Sequence, residues 1–126
     1  LSVSLGLLVT GILWINEVPD IPADSSVGKR TLVVRLGVPR ATKVFAGLIG
    51  AAYIVLVLGV LFTGLTPWAL LALLAAPLAA KPVGGLRKAG SDPHALIPSN
   101  AGMILATLVT GILLLVGLAL SAFWPM

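Results

Sequence analysis

From Ala101 to Trp124 the chain runs 24 residues without a charged side chain. A run of this length and polarity fits a bilayer core, about 30 Å thick, which about 20 apolar residues span as a helix. Only helices and closed barrels satisfy their backbone groups there. Three more apolar runs precede it: Leu1–Ile15, Thr42–Thr63 (apolar beyond Lys43) and Trp68–Ala80. As a helix, Thr42–Thr63 reaches about 33 Å at about 1.5 Å per residue. Leu1–Ile15 is short of a span and reads as the last two-thirds of a helix. The chain is therefore expected to begin inside a membrane helix, as the C-terminal part of something longer. Trp68–Ala80 nears spanning length when Gly64–Pro82 is counted, with a kink expected at Pro77. The expected fold class is all-α, a multi-pass transmembrane bundle with four helices in this chain.

Charged residues make up 10% of the sequence, against about 25% in soluble domains, and their placement carries the topology. With four spans, the loops Asn16–Ala41 and Lys81–Pro98 share one side of the membrane. The Gly64–Pro67 turn and the C-terminus, ending Trp124-Pro125-Met126, share the other. Seven of the eight basic residues lie in those two loops, and the eighth, Lys43, adjoins the first. The positive-inside rule then makes both polar loops cytoplasmic and the C-terminus external, in the cell's inner or plasma membrane. The net charge of +4 is read as topology, so the expected partner is the lipid bilayer and no nucleic acid. With no cysteine, a disulfide framework and a thiolate metal site are both excluded.

Against this background one stretch stands out, Asn16–Gly37, NEVPDIPADSSVGKRTLVVRLG. It holds Glu17, Asp20 and Asp24, three of the four acidic residues, with Lys29, Arg30 and Arg35. Pro19 and Pro22 disfavour a continuous helix. The first helix is expected to end near Glu17 and a short one to restart at Pro19 or Pro22. Ser25–Gly28 reads as a turn, and Thr31–Gly37 as an extended or helical lead-in to the next span.

Asn16, Asp20 and Asp24 are spaced i, i+4, i+8, which on unbroken helix places them on one face. Two carboxylates at a membrane surface suit Mg²⁺, which is usually held by one or two carboxylates plus substrate phosphates. Lys29 and Arg30 supply cations for a diphosphate. Spacing alone leaves a second reading open, a structured turn in which Asp and Asn only cap helices. Gly28-Lys29-Arg30-Thr31 is not a nucleotide-binding loop, because Ala23 stands where the Walker pattern needs glycine.

The extended pattern NxxxDxxxDxxxGKRTLxVRLG, Asn16 through Gly37, resembles the second aspartate-rich motif of the UbiA superfamily of intramembrane prenyltransferases. It resembles in particular the branch that prenylates 1,4-dihydroxy-2-naphthoate in menaquinone synthesis. The layout of motif loop, two helices, second polar loop and last helix is similar to the final third to half of that nine-helix fold. The resemblance implies a Mg²⁺-dependent transfer of a polyprenyl group from polyprenyl diphosphate to an aromatic acceptor. Asp20 and Asp24 would bind the metal, Lys29 and Arg30 would contact the diphosphate, and Asn16 would lie on the same cavity wall. The apolar helices would line a tunnel for the prenyl chain.

Two departures qualify the implication. The family's first aspartate-rich motif, NDxxDxxxD, is not in this chain, so the N-terminal half is expected elsewhere and these residues are expected to be inactive alone. Pro22, between the two aspartates, is foreign to a helical motif. Two rivals stand beside this reading: the same chemistry on another acceptor, and a four-helix transporter or accessory subunit. A transporter places ionisable groups within its spans, whereas every charge here falls at or beyond an expected helix end. His94 is expected to be a solvated loop residue, Asn100 to bond between helices, and Tyr53 to place its hydroxyl on a neighbouring helix.

Overall fold

The computed structural model describes residues 1–124; Pro125 and Met126, which end the run read as facing outward, lie outside the described residues. Five α-helices and one 3₁₀ segment follow in order. They are α1 (Ser2–Glu17), α2 (Ile21–Ser26), α3 (Leu32–Phe62), the 3₁₀ segment (Pro67–Ala75), α4 (Ala76–Ala89) and α5 (Pro93–Phe123). Three helical stretches are long and apolar enough to cross a membrane: α3, the continuous Pro67–Ala89 and α5; α1 is a shorter apolar helix. The architecture is an all-α membrane bundle, with no strand among the described residues.

Local chemistry explains most boundaries. α1 stops at Glu17, two residues before Pro19. Thr31 caps α3, its hydroxyl accepting from Val34 N at 3.3 Å. Within α3, Gly37 sits at φ 71°, ψ 165° and bends the lead-in Leu32–Leu36 away from the spanning part. Pro77 stands in the first turn of α4, where the continuous Pro67–Ala89 stretch changes from 3₁₀ to α geometry.

The second polar loop, read as Lys81–Pro98, is a correction. Lys81–Ala89 is the helical end of α4, Pro93–Pro98 is the start of α5, and only Gly90–Asp92 connects them. Polar composition marked the exit from the apolar layer rather than the end of a helix. Ala79, Pro82 and Leu86 keep one buried face on α4, so the helix continues with Lys81, Arg87 and Lys88 exposed on its other side.

α5 is the hub, packing on the 3₁₀ segment, α4 and α1, while α1 also packs along α3. Phe45, Leu8, Ile15 and Met103 fill the larger core cluster. Bilayer lipid leaves close packing and interhelical hydrogen bonds to hold such helices together. Gly85 faces Ser99 Oγ, and Gly117 faces the backbone carbonyl of Trp68, each with no room for a Cβ. Gly47 and Gly50 of α3 lie open by contrast: a Cβ at either meets nothing within 4 Å among the described residues. Tyr53 does reach a neighbouring helix, its hydroxyl 2.9 Å from Thr110 Oγ1 of α5. Asn100 makes no interhelical bond; its Oδ1 is buried without a partner.

Two contacts mark the ends of the bundle. Arg87 lines one cleft with Pro39 and Lys43, so the end of α4 lies beside the start of α3. At the opposite end Trp68 Nε1 donates to Trp124 O at 3.1 Å. The basic residues gather at the end that carries the Asn16–Gly37 stretch.

Candidate active site

The stretch is built as helix end, tight connection, short helix, reversal and new helix. Asn16 and Glu17 lie exposed in the last turn of α1. Right-handed turns carry the chain into α2, with Asp20 N bonding Glu17 O and Ile21 N bonding Val18 O, both at 3.2 Å. Asn16 and Asp20 are thus not on one unbroken helix. Asp20 and Asp24 are separated by one helical turn, Asp24 N donating to Asp20 O at 2.8 Å.

The end of α2 explains the GKRT segment. Gly28, at φ 74°, lies in the left-handed region that glycine enters freely. Its N–H donates to Ser25 O at 3.2 Å and that of Lys29 to Asp24 O at 2.9 Å. This is the Schellman pairing that ends helices at such a glycine. It folds residue 29 back over residue 24, and Lys29 Nζ reaches Asp24 Oδ2 at 3.0 Å. Arg30 then links to Thr31, the cap of α3. Residue type alone marks Lys29 and Arg30 as cations; Gly28 and Thr31 are the stop and start signals on either side of them, legible from their cap preferences.

The electrostatics follow the geometry. The hydrogen bond that Lys29 donates to Asp24, and then the Asp24 charge, hold the Lys29 ammonium above the usual lysine value of 10.5, with Asp20 and Glu17 acting in the same direction. A raised lysine keeps its proton through the neutral range, and its contribution to the pair is lost as pH rises through the raised value. This is the one ion pair among the described residues, and Arg30 stands exposed beside it.

The two connection aspartates of the chain differ. Asp92 starts α5 from an extended backbone, and its carboxylate accepts from His94 N at 3.0 Å and Ala95 N at 3.4 Å. Asp20 holds the corresponding place before α2 but makes no side-chain cap bond. Its backbone is right-handed helical, at φ −83°, ψ −8°, whereas a capping residue is typically extended. Pro22 also removes one of the two N–H groups a cap would bond. Capping therefore accounts for Asp92 and leaves Asp20 uncommitted. His94, two residues past the cap, is exposed.

The donor set suits a hard divalent cation. Asp20 and Asp24 offer carboxylate oxygens one turn apart, and no group of three His, Cys, Asp or Glu side chains among the described residues forms a closed cage. Mg²⁺ characteristically takes one or two carboxylates and completes its shell with water and substrate phosphates. A groove of about 470 Å³ runs between α1 and α5, lined by Leu5, Val9, Leu108, Gly111 and Ile112 among others. It is apolar and touches neither aspartate. Val9 lies seven residues before Asn16 on α1, about 10 Å along the helix axis.

Residues 1–95, which include the whole stretch, match the UbiA prenyltransferase family. The chain belongs to this family. Its curated relatives include proteins named 1,4-dihydroxy-2-naphthoate octaprenyltransferase from three bacteria. The Escherichia coli protein is 38% identical over 95% of this chain and 39% of its own length. The Mycobacterium tuberculosis protein is 37% identical over 86% of this chain and 36% of its own. The Bacillus subtilis protein is 29% identical over 98% of this chain and 39% of its own. The UbiA-family chain thus spans less than two-fifths of the length of these relatives. No solved structure matches it.

Proposed function

We propose that this chain is the C-terminal part of a membrane prenyltransferase that moves a polyprenyl group from polyprenyl diphosphate to 1,4-dihydroxy-2-naphthoate. The observation that carries the reading is the family match across the motif together with three relatives of one name. The uncommitted carboxylate of Asp20 and the cations beside Asp24 support it. On this reading the motif end of the bundle faces the cytoplasm, since the basic residues collect there, and the other half of the site comes from the rest of a longer protein.

Asp20 and Asp24 would hold Mg²⁺, which supplies Lewis-acid stabilisation of the departing diphosphate. Lys29 and Arg30 bring positive charge to the oxygens on which electrons accumulate as the allylic C–O bond breaks. Asn16, four residues before Asp20 at the end of α1, presents an exposed amide that would face the same ligand. The allylic carbocation is captured by an electron-rich ring carbon of the acceptor, which restores its aromaticity by releasing H⁺, or CO₂ where that carbon bears the carboxylate, and apolar helix walls such as the α1–α5 groove shelter the chain from water.

The test follows diphosphate release from a polyprenyl diphosphate by the full-length protein in membranes, with Mg²⁺ and dihydroxynaphthoate present. Asp20→Ala and Asp24→Ala are each expected to lower turnover about 10²-fold or more, the scale for losing one electrostatic stabiliser. Donor binding without turnover would redirect the search to other acceptors. Unchanged donor binding in both variants would reduce the motif to a turn.

A further inference from the structure

Asp24 is assigned above to a metal ion, yet its carboxylate already has a cation. Lys29 Nζ lies 3.0 Å from Asp24 Oδ2, and the backbone brings it there. The two Schellman bonds at Gly28 and Lys29 fold residue 29 over residue 24 before any side chain takes part. The two partners are unequally fixed: the Lys29 side chain is 60% exposed and that of Asp24 only 19%. A long, solvated cation therefore rests on a short, sheltered anion. Neighbouring Arg30 carries the same charge and makes no ion pair among the described residues.

We propose, resting on the metal-site reading above, that Lys29 is a placeholder cation. Its ammonium occupies Asp24 Oδ2 until a divalent cation takes that oxygen, and the freed ammonium then turns to the diphosphate. Metal arriving alone must break the pair and leave Lys29 without an anion. Metal arriving with diphosphate breaks it and provides the new partner. Lys29 thus couples the two ligands, each favouring the other by the same factor, as linkage requires.

The test uses the full-length protein in lipid nanodiscs, with Mn²⁺ binding read by electron paramagnetic resonance, with and without inorganic diphosphate. Lys29→Gln is expected to tighten Mn²⁺ binding without diphosphate by about two- to five-fold, the scale of an exposed ion pair. The same variant is expected to weaken diphosphate binding at saturating Mn²⁺, so the coupling between the ligands falls. Arg30→Gln removes an equal charge that does not touch Asp24, and is expected to weaken diphosphate binding without a comparable gain for Mn²⁺. No gain in Lys29→Gln, or an equal gain in Arg30→Gln, would overturn the placeholder role while leaving the metal site standing. If Asp20→Asn and Asp24→Asn also left Mn²⁺ binding unchanged, the metal site itself would fall, and the placeholder with it.

Discussion

Tyr53 of α3 and Thr110 of α5 meet through their hydroxyls at 2.9 Å, both side chains buried. The single hydroxyl proton of Thr110 goes to Ala106 O at 2.7 Å, so Tyr53 is the donor of the pair. The two ends of this bond are therefore not equivalent. Tyr53→Phe leaves Thr110 with its own acceptor and is expected to cost about 0.6 kcal/mol, the mean for interhelical bonds in membranes. Thr110→Val strands a buried Tyr hydroxyl and is expected to cost about 1–3 kcal/mol. Unfolding of both variants in detergent micelles measures the order, and equal losses would contradict the donor assignment.

Gly117 and Gly85 both lack room for a Cβ, but what blocks them differs. At Gly117 the obstacle is the Trp68 backbone; at Gly85 it is the Ser99 side chain. Gly117→Ala is expected to destabilise by about 1–3 kcal/mol as overpacking does, with no repair by a second side-chain change. Gly85→Ala should be largely rescued by adding Ser99→Gly. Gly47→Ala, with open space around it, is expected to stay within about 0.5 kcal/mol. Thermal melting of the four proteins would rank them.

Asp92 and Asp20 separate stability from ligand binding. Asp92→Ala removes a working cap and is expected to cost about 1 kcal/mol while leaving inorganic diphosphate binding unchanged. Asp20→Ala removes no cap bond, so its melting temperature should hold while metal-dependent diphosphate binding is lost. Calorimetric titration beside melting curves distinguishes them. A stability loss at Asp20 comparable to that at Asp92 would return it to a capping role.

Gly28→Ala forces an L-residue into left-handed backbone, at about 1–2 kcal/mol. The strain falls on the two reversal bonds, so hydrogen exchange at the Gly28 position and at Lys29 should accelerate. Amides in the middle of α3 should keep their protection. Unchanged exchange at Lys29 would mean that the reversal survives without its glycine.

Much of this fold is legible in side-chain chemistry, because a bilayer permits few alternatives. Uncharged runs marked the helices, Pro19 and Pro22 the break and restart around Glu17, and charge placement the end that carries the motif. The second polar segment was misread because Lys81, Arg87 and Lys88 look like loop residues, while Ala79, Pro82 and Leu86 keep the helix going. At the site, residue types announced carboxylate and cation chemistry. The Asp24–Lys29 pair depends on a left-handed turn at Gly28, a conformation that glycine allows but does not compel. The freedom of Asp20 is half legible, since Pro22 takes away one N–H a cap would bond, but it also depends on the backbone angle of Asp20 itself.

Trp14 donates its indole N–H to Ala41 O at 2.9 Å, across 27 positions of sequence. The bond joins the last turns of α1 to the part of α3 just past the Gly37 bend, and all five residues assigned to the site lie between its ends. They therefore sit in a ring with a closed neck. A chain segment that is already looped has less freedom left to lose when it gathers around a ligand. It can tilt or tighten as a unit more readily than it can unroll toward the solvent, so the reach of the aspartates and cations is tied to the half-buried indole that closes the ring.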